Sequence, residues 1–195
     1  MALVSLAALV AGARSGKLVS FPTDTVPALA VRPDRRGDVF ALKQRSPDKP
    51  LILMAASWRE FLPFINTADP ALVTWQQAAQ KYFAGAVTLV LPASDRGWKL
   101  NEGFTTLGVR IPDSKIAIAI LQQTGAMLTT SANKSNAPPL RRMIEINDAF
   151  PSVMTLGDGL VVDINERSGS GLPSTVVEWT ADGWLVRRQG AIHFA

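Results

Sequence analysis

Cysteine is absent from the 195 residues, which excludes a disulfide framework, a thiolate nucleophile and a cysteine-based zinc site. Histidine occurs once, as His193 near the end of the sequence. A histidine-rich metal site and an ordinary Ser-His-Asp triad find little support in that. Charged residues make up only 18%, below the usual ~25%, and no run of 18 apolar residues exists, so no helical membrane span is expected. No GxxxxGK[ST] phosphate loop occurs, and no GxGxxG follows a strand. Internal repeats and low-complexity linkers are missing too.

What is present is a hydrophobic share of 47% and a net charge of +4. That composition excludes a disordered or collagen-like chain. The length fits one domain, residues 1–195, which buries roughly 70% of its unfolded surface without staples. Thirteen of the 20 cations are arginine, the better fork for phosphate or carboxylate. The charge therefore allows an anionic small ligand, a nucleotide or RNA, and does not choose among them.

Residues 2–13 are small and apolar, but no cation precedes them as an export signal requires. Leu3, Leu6 and Val10 have helical spacing, with Arg14 in the last turn and Gly16 as C-cap. The reading is a first helix. Strands are expected at 18–21, 29–31, 51–54, 87–91, 107–111 and 127–130. Further strands are expected around Val161-Val162, at 175–177 and at 184–186. Helices are expected at 35–45, 58–64, 70–83, 114–123 and 141–149. Strands scattered among helices give a mixed α/β domain, not a simple doubly wound sheet.

Four clusters combine loop position with hydroxyls or cations. Pro22-Thr23-Asp24-Thr25-Val26 follows a strand and offers hydroxyls to a small polar ligand; a turn bonded to its own backbone is the plainer reading. Lys43, Arg45 and Lys49 surround a helix end, where cations complement the dipole. Three in seven residues exceeds that need and suits a phosphate chain. Residues 129–139 run from a strand into a loop dense in hydroxyls and amides, which suits an anion nest; a long solvated turn is the alternative. Arg110 lies in an apolar strand after Thr105-Thr106. If buried it must be paired, either with an acid or with a ligand's carboxylate or phosphate. The Ser168-Gly169-Ser170-Gly171 stretch reads as a turn or loose loop. The tryptophans read as core or pocket wall, since no aromatic spacing resembles an RNA-recognition signature.

In order along the chain, KLVSFPTDTVPAL, KQRSPDKPLILM, LGVRIP, LTTSANKSNAPP, PSTVVEW and VRRQGAI resemble the YrdC-type threonylcarbamoyl-AMP synthases. The resemblance covers residues 5–192, and the KxR…KPL plus SANxS combination is specific. It implies a twisted α/β sheet with flanking helices and a basic concave face, in the short form without an extra C-terminal domain. It implies condensation of L-threonine, bicarbonate or CO2, and ATP to threonylcarbamoyl-AMP and pyrophosphate. Mg2+ would arrive with the nucleotide, with no metal site on the protein. A downstream threonylcarbamoyl transferase would carry the product to tRNA, in the cytoplasm.

Residue by residue, the resemblance places Thr25, Arg110, Thr130 and Ser174 on threonine. It places Lys43, Arg45, Lys49, Thr106, Ser131, Ala132, Asn133 and Arg188 on the nucleotide. No catalytic base is implied. Departures from the family pattern are Pro27 and Ala28 for Tyr-Gly, Met54 for His, Asn136 for Gly and Gln189 for Pro. Those at 27, 28 and 54 make one wall of the amino-acid pocket more apolar. Two other function classes fit the residues: a non-catalytic module holding tRNA or double-stranded RNA by its phosphates, and a paralogue serving another carbamoyl acceptor.

Overall fold

A computed structural model describes residues 3–44, 46, 49–101, 104–134, 137–159 and 168–195. Arg45, Asn136 and the Val161-Val162 strand therefore lie outside the described residues. The first helix, α1, spans Leu6–Arg14. Ser5 caps it by accepting from the Ala8 N–H at 3.3 Å, and the chain leaves it through Gly16 at φ +87°. Leu9, Val10 and Ala13 bury one face of α1; of the residues whose spacing predicts the helix, Val10 is buried, Leu6 is half-buried and Leu3 lies before it.

Nine strands form one sheet among the described residues. They are β1 (Val19–Phe21), β2 (Ala28–Val31), β3 (Ile52–Met54), β4 (Val87–Pro92), β5 (Thr106–Arg110), β6 (Met127–Ser131), β7 (Met154–Thr155), β8 (Thr175–Thr180) and β9 (Gly183–Arg188). Their spatial order is β7-β1-β2-β6-β3-β5-β4-β8-β9. The β1/β7, β3/β5 and β4/β8 pairs are parallel, and the others are antiparallel. The helices α2 (Arg36–Lys43), α3 (Leu72–Tyr82), α4 (Asp95–Leu100), α5 (Lys115–Thr124) and α6 (Met143–Ala149) connect them.

Three elements differ from the sequence reading, the first being the two-residue β7, for which no strand is expected. Residues 58–61 form a 3-10 turn where the pattern predicts a longer helix. Nothing in the sequence pattern predicts α4, because Gly97 interrupts a short polar stretch. Its Ser94 cap accepts from the Gly97 N–H at 3.2 Å. A Cβ at position 97 would lie 1.9 Å from the Phe64 carbonyl oxygen, so close packing dictates the glycine.

Strand alternation sorts the residues into two faces. Leu53, Leu89, Leu107, Val109 and Leu128 point into one core with Val39 of α2 and Trp75 of α3. Their chain neighbours point to the opposite face. There α1, α5 and α6 cover the β7-β1-β2 end, packing Leu9, Ile120 and Ile146 with Val19, Phe21 and Met154, and their core reaches as far as Met127 of β6 and Met54 of β3. Cross-strand partners continue that same face outward through Ala30, Thr129, Ile52, Gly108 and Val90. Over β3, β5, β4 and β8 this face lines a cavity. The functional cleft is thus the part of a two-sided sheet that the helical layer leaves open.

Candidate functional site

The cavity has a volume of about 470 Å³, within the roughly 300–1,000 Å³ usual for small-molecule sites. Thr88, Val90, Thr106, Gly108 and Arg110 form part of its floor, the loop after β1 contributes Thr25, and the end of β6 contributes Thr130 and Ser131. Gly108 contributes no side chain, so the floor stays low between Thr88 and Ile52.

Arg110 organises one end. Its side chain is 5% exposed. Nε donates to the Gly85 carbonyl at 3.0 Å, Nη1 to Thr25 Oγ1 at 2.9 Å, and Nη2 to Asp24 Oδ1 at 2.6 Å. Thr25 is fixed in turn. Thr23 Oγ1 lies 2.8 Å from the Val26 carbonyl, to which its hydroxyl donates, and accepts from the Thr25 N–H at 3.2 Å. The two hydroxyl oxygens are 3.1 Å apart, so the Thr25 hydroxyl donates to Thr23 while accepting from Arg110. Burial lowers the Arg110 pKa from its ordinary value; the Asp24 carboxylate opposes that shift, and nearby Arg188 adds to it. Three donors are thus engaged, leaving one N–H on each terminal nitrogen.

Arg188 approaches from β9. Nη2 donates to the Ser174 carbonyl at 2.8 Å and Nε to the same oxygen at 3.2 Å. Partial burial lowers its pKa. Ser174 Oγ lies 2.8 Å from Thr88 Oγ1. Two guanidinium groups therefore share one cleft and repel each other, an arrangement that an anionic ligand relieves.

The loop after β6 is tied rather than open. Lys43, at the end of α2 and 5% exposed, donates from Nζ to the Ser131 carbonyl at 2.7 Å and to Asn133 Oδ1 at 2.9 Å. Asn133 Nδ2 donates to the Ala137 carbonyl at 2.6 Å. The Ala132 N–H donates to the Pro27 carbonyl at 2.9 Å, and its methyl is buried in the core.

The structure therefore brings Thr25, Lys49, Thr106, Arg110, Thr130, Ser131, Ser174 and Arg188 to one cavity. Lys43, Ala132 and Asn133 do not line it, because they hold the loop behind it; Arg45 lies outside the described residues. Sequence reading missed Thr88 and Asn101. Thr88 is a lone hydroxyl in an apolar strand, a legible signal. Asn101 is 1% exposed and donates from Nδ2 to the Thr106 carbonyl at 3.0 Å, with no motif to mark it. Pro27, Ala28 and Met54 all lie on the cavity wall. Among the described residues, no group of three or more histidines, cysteines, aspartates or glutamates is placed to hold a metal ion. No described helix is long and apolar enough to cross a membrane.

A mixed sheet carrying a hydroxyl-lined cleft with three cations, Lys49, Arg110 and Arg188, is an arrangement that suits a small anionic ligand. The chain belongs to the Sua5/YciO/YrdC family, whose model, described as telomere recombination, matches residues 12–190. The threonylcarbamoyl-AMP synthase of Photobacterium profundum is 34% identical over 195 residues, covering 95% of this chain and 99% of the relative. That of an Enterobacter species is 32% identical over 180 residues, covering 88% and 90%. A solved structure of P. abyssi Sua5 complexed with L-threonine superposes with a TM-score of 0.81 at 25% identity, over 95% of this chain. The chain spans about half the length of that Sua5, 54%. E. coli YciO shares the fold, with a TM-score of 0.77 at 22% identity over 95% of this chain and 89% of that one.

Proposed function

We propose that the protein is an L-threonylcarbamoyladenylate synthase. The observation that carries this reading is the Arg110–Thr25 pair, a buried fork and a fixed hydroxyl in a cleft of matching size. The P. abyssi relative was solved with L-threonine bound, and relatives of nearly full length are threonylcarbamoyl-AMP synthases.

The remaining Nη hydrogens of Arg110 receive the threonine carboxylate, while Thr25, Thr130 and Ser174 surround the amino acid. Lys49, Arg188, Thr106 and Ser131 face the nucleotide; for Arg45, outside the described residues, the same role rests on the family resemblance of the KQRSPDKPL segment alone. Lys43 and Asn133 act on the nucleotide indirectly, by fixing the Ser131 loop. Mg2+ comes with ATP as part of that substrate.

The chemistry needs little from the protein beyond position and charge. The threonine amine, once deprotonated, attacks CO2; a C–N bond forms, a proton leaves, and a carbamate results. A carbamate oxygen then attacks the α-phosphorus of ATP, and the bond to pyrophosphate breaks. Both steps gather negative charge, which fixed cations stabilise. Holding three reactants together supplies much of the acceleration. Threonylcarbamoyl-AMP then passes to a downstream transferase acting on tRNA in the cytoplasm.

The test is incubation with ATP, bicarbonate and single amino acids, with pyrophosphate and the adenylate measured. Threonine-dependent release of both is expected. Salt-sensitive RNA binding with no adenylate from any amino acid contradicts the reading.

A further inference from the structure

The Ser-Gly-Ser-Gly stretch at 168–171 is not a loose turn. It lies backbone to backbone on the loop between β1 and β2. The Ser170 N–H donates to the Asp24 carbonyl at 2.9 Å and the Gly171 N–H to the Thr25 carbonyl at 2.8 Å. The approach leaves no room for a side chain. A Cβ on Gly169 would lie 2.5 Å from the Thr25 carbonyl oxygen and 2.6 Å from that of Thr23, and Gly169 has φ +61°. Space and backbone conformation both demand glycine there. The segment then continues into Pro173 and Ser174, which line the cleft.

Arg141 holds this strap from behind. Nη2 donates to the Gly169 carbonyl at 2.6 Å, and the Arg141 carbonyl accepts from the Ser168 N–H at 2.8 Å. Its guanidinium packs where a Cβ on Gly171 would sit, 2.5 Å from Cζ. A chain of contacts thus runs from Arg141 through Gly169 and its neighbours to Asp24 and Thr25, and from their side chains to Arg110.

We propose that Arg141 is a positioning residue for the amino-acid end of the cleft. It does not line the cavity, so it acts through the strap. By clamping the Gly169 carbonyl it keeps two N–H donors on the carbonyls of Asp24 and Thr25. Those two residues in turn orient the Arg110 fork. The proposal rests on the reading that this cleft takes L-threonine. Small displacements of a positioning group have large effects on a reaction that depends on alignment.

The test uses Arg141→Gln and Arg141→Lys. Loss of a charge-assisted bond predicts a KM for threonine about tenfold higher in Arg141→Gln, with the KM for ATP and the melting temperature little changed. Arg141→Lys retains one charged donor for the Gly169 carbonyl and recovers most of the threonine KM. Independently of turnover, the Ser170 and Gly171 amides exchange with solvent about tenfold faster in Arg141→Gln. Equal rises in both KM values, or unchanged exchange at these two amides, overturn the proposal. A wild-type protein inert toward threonine overturns the functional reading instead, and the exchange rates then still decide whether Arg141 clamps the strap.

Discussion

The two ends of the cleft are built on different principles. At the Arg110 end the polar groups are largely buried and bonded to a neighbour: guanidinium to carboxylate and hydroxyl, hydroxyl to hydroxyl, backbone to strap. Toward the nucleotide side Lys49 sits on an exposed residue, and Arg188 bridges the two ends, exposed as a residue but with its guanidinium partly buried against the Ser174 carbonyl. The first end fixes geometry before a ligand arrives, which suits selection of a small amino acid by shape. The second offers charge with less constraint, which suits a phosphate chain that brings its own counter-ion. Solvent screening weakens exposed charges far more than buried ones.

The sharpest way to break this contrast is Arg110→Lys. Lysine keeps the charge but has no planar fork. Threonine-dependent turnover is expected to fall about 100-fold from the loss of two charge-assisted bonds, measured as kcat/KM. The change in melting temperature should be only a few degrees, since no charge is removed. A folded variant with normal turnover would reassign Arg110 to a purely structural pair with Asp24.

On the nucleotide side Arg188→Ala should raise the KM for ATP about tenfold, because its partly buried guanidinium makes a charge-assisted contact, and Lys49→Ala should raise it as well. Raising ionic strength should weaken ATP binding more than threonine binding in the wild type. Equal salt dependence for the two ligands would remove the distinction between the ends.

The wall formed by Pro27, Ala28 and Met54 offers a smaller effect. It lacks a hydrogen-bonding side chain, so discrimination of threonine from serine should be reduced by up to about tenfold relative to a Tyr-Gly relative. Measuring the threonine-to-serine ratio of kcat/KM in wild type and in Met54→His checks it. A wild-type preference already equal to that of such a relative contradicts it.

The smallest effect expected lies outside the cleft. Hydrogen bonding from Arg142 holds the Glu145 carboxyl below its ordinary pKa, with Arg142 Nε donating to Oε1 at 2.8 Å. A carboxyl lowered in the folded state stabilises it above the unfolded value, ~4.3, and loses that contribution as pH falls. Glu145→Gln should therefore lower the melting temperature slightly at pH 7, by at most about 2 °C. Thermal scans should show the difference shrinking as pH falls below the unfolded value of ~4.3 and vanishing once it passes the lowered folded-state value. A difference that persists unchanged in acid would point to packing instead.

Much of the sheet was legible because its central strands are apolar runs bounded by breakers. β4, β5 and β6 fall within a residue of their expected limits. The two-residue β7 and the glycine-interrupted α4 were not, since neither bears a periodic pattern. In the cleft, residues on recognisable motifs were found, whereas tertiary roles were not. Nothing local distinguishes Lys43, which ties a loop, from Lys49, which lines the cavity. The partner of Arg110 was also hidden, because Asp24 is 86 residues away in sequence. The strap reads as a loose turn in sequence for the same reason: four small residues acquire a role only through what they lie against.

The most direct test of the central claim is calorimetric binding of L-threonine without nucleotide, compared between wild type and Arg110→Lys, with ATP binding measured on the same samples. A prebuilt amino-acid end predicts that wild type binds threonine alone, and that Arg110→Lys loses this binding while ATP affinity is retained. Equal threonine affinity in the two proteins would contradict it.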